Sequence, residues 1–155
     1  MSTSSKEKCS LKGKIKKFDM DLYNKYDVPA RRVIKEQLGD LVDDNPDIYA
    51  EDMLLKINDY EYKYIELQVC VSWVELKYPH TNPYVYERKG HFSDDTLFII
   101  LNKSMSRGLF FGKKYLKKEP KRIKKYSKTF IYEVPWWNVM QFDLEDLTED
   151  LLRIY

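Results

Sequence analysis

The fold is decided by the stretch Asp52-Met-Leu-Leu-Lys-Ile-Asn-Asp59 and the residues after it, Tyr60-Glu-Tyr-Lys-Tyr-Ile-Glu-Leu-Gln-Val-Cys-Val-Ser-Trp73. In the second part, every other position is apolar: Ile65, Leu67, Val69, Val71 and Trp73. A period of two is typical of a β-strand with one buried face. Because Asn58-Asp59 suits a turn, the two runs together predict a β-hairpin.

The opposite face of this strand carries polar side chains. Glu66 and Gln68 lie two residues apart, so they point the same way from an otherwise apolar strand. Burying an acid or an amide costs free energy unless the group is solvated, hydrogen-bonded or bound to a cation. Asp52 opens the preceding strand and can reach the same place. The hairpin therefore predicts a site for a divalent metal ion.

This site depends on the register of the hairpin. A two-residue turn pairs Ile57 with Tyr60 and therefore Asp52 with Ile65, which puts Asp52 on the apolar face. A three-residue turn, or one bulge, pairs Asp52 with Glu66 and brings both carboxylates to one side. The candidate site requires the second arrangement.

Composition predicts one folded domain in a reducing compartment. The 155 residues are 43% hydrophobic and 34% charged, and we expect one α/β domain over 18–155 after a flexible basic tail over 1–17. Cys9 and Cys70 are the two cysteines, which argues against a disulfide framework or a zinc site. With no apolar run of membrane-spanning length and no signal peptide, we expect an intracellular protein of the cytoplasm or nucleus, with a viral factory or virion as a further setting.

The elements around the hairpin predict an α/β domain with a mixed sheet. Pro29 to Val42 reads as a helix whose apolar stripe packs on that sheet, with Glu36 on the polar side. The continuous apolar run over 96–101 predicts a central strand covered on both faces. The remaining predictions are a short helix over 84–89, strands over 108–112, 129–134 and 139–142, and an amphipathic helix over 143–154 capped by Asp143.

Asp52, thirteen intervening residues and then Glu66-Leu-Gln68 on an apolar strand resemble the signature of the PD-(D/E)XK nuclease superfamily. In those enzymes a helix precedes a hairpin, an Asp opens the first strand, and an acid-x-Lys triplet lies on the second. The resemblance covers residues 29–101 and implies a restriction-endonuclease-like core, a mixed β-sheet flanked by helices. It also implies Mg²⁺ or Mn²⁺ held by Asp52, Glu66 and the carbonyl of Leu67, with Gln68 positioning water. Glu36 would match the acid that many members carry on the helix.

The sequence departs from that pattern at the last position of the triplet. Gln68 stands where the family usually has Lys; an amide can position a water but cannot act as a general base. Lys89 is the candidate that could replace the missing cation. Pro46-Asp47 matches the literal "PD" of the motif, so Asp47 is the alternative first acid, but Asp52 directly precedes the predicted strand.

A basic segment predicts a polyanionic partner. Residues 103–128 contain eleven Lys or Arg against one acid, Glu119, in a chain whose net charge is only +2. The predicted phosphate contacts are Lys113, Lys114, Lys117, Lys118, Lys121, Arg122, Lys124 and Lys125. The structural alternative is a solvated loop whose charge is balanced by the acidic C-terminal helix.

Taken together, these features predict a Mg²⁺- or Mn²⁺-dependent endonuclease that hydrolyses phosphodiester bonds, with DNA favoured over RNA. One alternative is a module that kept the nuclease fold and nucleic-acid binding but lost catalysis. Another is an interaction protein whose carboxylates are incidental. A homodimer is also open, since many nucleases of this type pair to cut both strands.

Overall fold

The computed structural model describes residues 20–123 and 129–155. The predicted tail over 1–17 lies outside the described residues. Lys124 and Lys125, two of the predicted phosphate contacts, lie outside them as well. The helices are α1 (Met20–Leu22), α2 (Val28–Leu38) and α3 (Glu149–Ile154), and a π-helical stretch, Tyr23–Asp27, joins the first two. The strands are β1 (Val42–Asp44), β2 (Met53–Leu55), β3 (Tyr64–Cys70), β4 (Tyr84–Tyr86), β5 (Thr96–Asn102), β6 (Arg107–Gly112), β7 (Lys121–Arg122), β8 (Phe130–Glu133) and β9 (Met140–Asp143).

Six strands form one mixed sheet in the order β1-β2-β3-β5-β6-β9. β3 and β5 are parallel, whereas the other neighbours in this sheet are antiparallel. β4, β8 and β7 form a separate antiparallel sheet of three strands. The predicted α/β class and mixed sheet are therefore confirmed.

The large sheet separates two apolar cores, because alternate residues of its central strands face opposite sides. Leu97 and Ile99 of β5 pack on one side with Ala30, Ile34 and Leu38 of α2. Phe98 and Ile100 pack on the other side, where the small sheet contributes Val85 and the chain contributes Trp73, Tyr78 and Val134. A small sheet therefore covers the face on which the predicted architecture had further helices. All of β5 is buried, which confirms the predicted central strand.

The predicted helix over 29–42 is correct at its start and too long at its end. α2 has Pro29 in its first turn and ends at Leu38. Gly39 follows with a left-handed φ of 54°, a conformation that glycine adopts without steric cost. The chain then makes a 3-10 turn over Gly39–Leu41, and Val42 begins β1.

The predicted turn of the hairpin is wrong in length, although the two strands exist. Antiparallel pairing is seen at Met53 with Ile65 and Leu54 with Tyr64, and the loop spans residues 56–63. Ile57 and Tyr62 are buried, so this loop folds into the core instead of continuing the ladder. Asp59 takes the left-handed conformation at its tip, with a φ of 57°.

Two predicted helices are corrected. Residues 84–89 form β4 followed by a 3-10 helix, Glu87–His91, because Val85 packs into the core while Tyr84–Tyr86 pairs with β8. The C-terminal helix begins at Glu149, since Asp143 ends β9 and Leu144–Asp146 is a 3-10 turn. Thr148 is its cap and accepts a hydrogen bond from the Leu151 amide.

The strands predicted over 108–112, 129–134 and 139–142 are present as β6, β8 and β9. Across the described residues, no helix is both long enough and apolar enough to span a membrane.

Candidate active site at the edge of β3

Asp52 and Glu66 meet where β2 begins. The register of β2 and β3, continued by one residue, puts Asp52 opposite Glu66, as the candidate site requires. The amide of Asp52 donates to Glu66 Oε1 at 3.2 Å. The amide of Leu67 donates to Asp52 Oδ2 at 2.9 Å, so the Asp52 side chain takes the place of a backbone partner at the end of the ladder.

Each carboxylate also has a cationic partner. Arg31, on α2, donates from Nη2 to Asp52 Oδ1 at 2.8 Å and from Nη1 to the Asp52 carbonyl at 3.1 Å. Lys89, in the 3-10 helix after β4, lies with Nζ 3.1 Å from Glu66 Oε2. Lys89 therefore supplies an ammonium group beside the acid of a triplet that ends in Gln68 instead of Lys.

Burial changes the protonation equilibrium of Glu66. Its side chain is 9% exposed and that of Lys89 is 14% exposed. Burial, and secondarily the charge of Asp52, raises the pKa of Glu66 to about 8, against the opposing effect of Lys89. A carboxylate held at such a pKa is stabilised in its charged form by any further cation that approaches.

Gln68 adds an amide oxygen on the same face of β3 as Glu66. Its Oε1 is buried and has no hydrogen-bond partner among the described residues. A buried polar atom without a partner is uncommon in folded proteins and is explained by a water, an ion or a ligand. The carbonyl of Leu67 points to the same edge as its amide, because both groups of one residue in an antiparallel ladder face the same neighbour.

The donor set suits a hard cation. Two carboxylates, an amide oxygen and a carbonyl offer the oxygen ligands that Mg²⁺ and Mn²⁺ prefer, and Mg²⁺ usually takes only one or two protein carboxylates. Within residues 20–123 and 129–155, no group of three or more His, Cys, Asp or Glu side chains is arranged to hold a metal ion. A metal at Asp52 and Glu66 would thus rely on neutral oxygens, water and substrate for its other ligands.

The other predicted acids lie elsewhere. Asp47 is exposed in a turn, where its carboxylate accepts from the Tyr49 amide at 3.0 Å. Glu36 is exposed on α2, and no contact seen among the described residues joins it to Asp52 or Glu66. Of the acids named from sequence, the structure brings together Asp52 and Glu66.

Sequence reasoning missed Arg31 and Glu51. Arg31 lies 21 positions before Asp52, so no local pattern indicates their contact. Glu51 is only 5% exposed, and its Oε2 accepts from the Ser93 amide and the Thr96 hydroxyl. The one signal for Glu51 was its position, next to the acid that opens β2.

Part of the basic segment lies near the candidate site, and much of it is ion-paired. Gly112, at the end of β6, pairs with Leu97 of β5, so the chain from Lys113 onward leaves the sheet at the end where β3 and β5 start. Of the eight described Lys and Arg residues in 103–128, four form ion pairs: Arg107 with Asp143, Lys113 with Asp94, Lys114 with Glu61 and Lys121 with Glu133. Asp143 belongs to the predicted acidic helix over 143–154, so that segment pairs with one of the four, and acids elsewhere pair with the other three. Lys117, Lys118 and Arg122 are exposed.

No protein-family model matches this sequence, and neither a curated protein nor a solved structure matches it.

Proposed function

We propose that this chain is a metal-dependent endonuclease that hydrolyses phosphodiester bonds in DNA and is built on a restriction-endonuclease-like core. The observation that carries the proposal is the meeting of Asp52 and Glu66 at one edge of β3, with Gln68 two residues further along the same face of the strand. Glu66 is buried beside a second acid and a lysine, and the oxygen of Gln68 lacks a partner among the described residues.

The order of the elements supports the proposed core. Helix α2 precedes the β2–β3 hairpin, Asp52 directly precedes β2, and Glu66 and Gln68 lie on β3. This is the arrangement that the resemblance to PD-(D/E)XK nucleases implies.

The residues at this edge fit a divalent cation. Asp52 and Glu66 would hold Mg²⁺ or Mn²⁺, and the Leu67 carbonyl and Gln68 amide oxygen are neutral donors at the same edge. When bound, the metal supplies polarisation of the phosphate and a lowered pKa for the attacking water. The unpaired Gln68 Oε1 is the feature of this chain that such a group would satisfy.

The protein's own groups have distinct roles in this proposal. Gln68 orients the water by hydrogen bonding, since an amide cannot take its proton at neutral pH. Lys89 provides positive charge next to Glu66, where negative charge grows on the phosphate during attack. Arg31 holds the Asp52 carboxylate in one orientation. Lys117, Lys118 and Arg122 would grip the nucleic-acid backbone through charge.

A second candidate is a nucleic-acid-binding module of the same fold without catalysis. The observation that favours it is that Arg31 and Lys89 already neutralise Asp52 and Glu66. In this case the two ion pairs stabilise the fold, and added metal does not change the protein.

A cleavage assay tests the first proposal. Wild-type protein should cut plasmid or oligonucleotide DNA with Mg²⁺ or Mn²⁺ and stop in chelator. Glu66→Gln should slow cleavage at least about a thousandfold, because metal-assisted stabilisation of the transition state is worth several kcal/mol. Circular dichroism should show that this variant keeps the fold.

Asp47→Asn and Glu36→Gln are matched controls, since both remove an exposed acid away from the β3 edge. They should cleave within a few-fold of the wild type. Salt-sensitive DNA binding that persists in chelator without cleavage by either metal would favour the binding module. If binding were absent or independent of salt, both candidates would be excluded.

A further inference from the structure

A cavity of about 460 Å³ lies beyond the end of β3, where Ser72 links Cys70 to His80 of the cavity lining. Its lining combines three aromatic side chains with three polar ones: Lys77, Tyr78, His80, Thr81, Trp136 and Gln141. Its volume is in the range of sites that hold small organic ligands. Aromatic faces suit a planar ring, while the ammonium, hydroxyl and amide groups suit the polar edge of such a ring.

The aromatic walls of the cavity are fixed in place. Trp136 Nε1 donates to the Thr81 carbonyl at 2.7 Å, which sets the orientation of the indole. The Tyr78 ring lies 5.7 Å from Trp136 and 5.4 Å from His80, and both pairs meet edge to face. Tyr78 itself is buried in the second core and anchors the group. A ligand therefore meets a preformed site, which lowers the entropy cost of binding.

Two side-chain contacts link this cavity to Cys70, at the end of the strand face that carries Glu66. Cys70 lies on that face, four residues beyond Glu66, so their Cα atoms are about 13 Å apart along the strand. Cys70 Sγ contacts Ser72 Oγ at 3.5 Å, and Ser72 Oγ contacts His80 Nε2 at 3.4 Å. One extended ligand can thus touch the acidic edge and the cavity.

We propose that the cavity lined by Tyr78, His80 and Trp136 holds one unstacked base of a single-stranded nucleic acid whose backbone runs past Glu66. This inference rests on the proposed function and adds a substrate class to it. A base in a duplex is paired and stacked, so it cannot enter such a cavity without being extruded. Base stacking on aromatic side chains tolerates any sequence, since every base has a flat π-face. The protein is therefore selective for single-stranded segments rather than for a base sequence.

The test compares two polymers of equal charge in chelator, where no cleavage occurs. The probes are a twelve-residue oligothymidylate and a twelve-residue abasic deoxyribose phosphate, measured by fluorescence anisotropy. Wild-type protein should bind the thymidylate about fivefold to a hundredfold more tightly, the range expected for stacking of one base. Trp136→Leu and Gln141→Ala should reduce this preference towards one, with little change in affinity for the abasic polymer.

Trp137→Leu is the matched control. Trp137 is the next residue in the same 3-10 turn, is 85% exposed and does not line the cavity. This variant should keep the preference for bases. Equal binding of the two polymers by wild-type protein would overturn the proposal, as would loss of the preference in Trp137→Leu but not in Trp136→Leu. Self-association that changes in the cavity variants while oligonucleotide binding does not would assign the surface to protein contact and also overturn it.

The outcome can be separated from that of the nuclease proposal. The preference for bases is measured in chelator and depends on the cavity lining, whereas cleavage depends on added metal at the β3 edge. A base preference without cleavage by either metal leaves the cavity assignment standing and removes the catalytic one. Cleavage without a base preference removes the cavity assignment and leaves the catalytic one standing.

Discussion

Glu51 and Glu66 are both buried carboxylates beside the β2–β3 pairing, and their surroundings differ. Glu51 is 5% exposed and accepts hydrogen bonds from the Ser93 amide, just before β5, and the hydroxyl of Thr96, which begins β5; both donors are neutral. Glu66 is 7% exposed and lies between the Asp52 amide and the Lys89 ammonium, close to a second carboxylate. Burial alone therefore does not distinguish a structural acid from a functional one.

Glu51 and Glu66 differ in how their neighbours affect the charge of the carboxylate. The donors around Glu51 both bind its Oε2 and fix the start of β5 to the start of β2 without adding charge. Around Glu66, burial and the charge of Asp52 raise the pKa, and Gln68 Oε1 has no partner among the described residues. An acid whose ionised form is disfavoured is common at functional sites and also occurs in structural ion pairs. Substitutions can tell the two cases apart.

After Glu66→Gln, the largest expected effect is that of Lys89→Met. Removing the ammonium should slow cleavage about a hundredfold to a thousandfold, the cost of losing one preorganised group that stabilises transition-state charge. The same variant should bind Mn²⁺ more tightly, because Glu66 loses its competing cation. Calorimetry of Mn²⁺ binding and initial cleavage rates measure the two effects.

Lys35→Met is the control for Lys89→Met, since Lys35 pairs with Asp44 on the exposed surface at 2.6 Å. It should leave both measurements unchanged. If Lys89→Met weakened metal binding, Lys89 would not be competing with the cation at Glu66, and the two buried acids would differ less than their contacts indicate.

Glu51→Ala should destabilise the fold while sparing catalysis. The change leaves the Ser93 amide and the buried Thr96 hydroxyl without their acceptor, which should lower the free energy of unfolding by about 2 kcal/mol. Urea unfolding measures this, and cleavage below the transition should stay within a few-fold of the wild type.

The control for Glu51→Ala is Glu61→Ala, which removes an exposed acid paired with Lys114 at 2.8 Å. Its effect on unfolding should be within about 0.5 kcal/mol. A loss of cleavage in Glu51→Ala as large as that in Glu66→Gln would mean that the buried carboxylates share one function.

The pattern of the sequence predicted the sheet better than its connections. Strong periodicity located β3 and the fully buried β5, since each is specified by its own side chains. The ends of helices and the hairpin loop depend on contacts far along the chain. Ile57 and Tyr62 leave the ladder because they fill the core, and Thr148 caps the last helix although Asp143 has a suitable side chain.

The candidate site was predictable where its parts share one hairpin. Counting residues across the turn leaves two registers, and the one with a three-residue turn or a bulge places Asp52 beside Glu66. Lys89 is indicated by the chemistry of the missing cation alone. Arg31 and Glu51 could not be found that way. Their partners come from other elements, and only the packing of α2 and of the loop before β5 brings these groups together.

A smaller effect is expected in the pH dependence of stability. The folded-state pKa of Glu66 is raised to about 8, above its ordinary value, so the folded protein binds the extra proton between these two pKa values. Stability from this group is fully present below the ordinary pKa and is lost as pH rises through 8. As the pH rises, the free energy of unfolding of metal-free wild-type protein should therefore fall relative to that of Glu66→Gln. The loss should be at most about 1.4 kcal/mol per pH unit.

Urea unfolding at half-unit steps from pH 5 to pH 9 measures this difference. The same measurements on Glu51→Gln extend the comparison to the other buried acid, whose hydrogen-bond donors are neutral. A constant difference between wild type and Glu66→Gln would mean that Lys89 keeps Glu66 ionised throughout, and the proposed contrast in charge would be wrong.

The smallest effect is expected from Gln68→Met, which exchanges the unpaired amide for an apolar side chain of similar length. Removing Gln68 Oε1, a buried oxygen that has no hydrogen-bond partner among the described residues, should raise the free energy of unfolding by about 1 kcal/mol. Tyr62→Phe is its match, since the Tyr62 hydroxyl is also buried without a partner among the described residues and lies in the other core. Both variants should be stabilised, but only Gln68→Met should cut DNA more slowly. Equal cleavage by the two would mean that Gln68 is a packing defect and that the acids act without it.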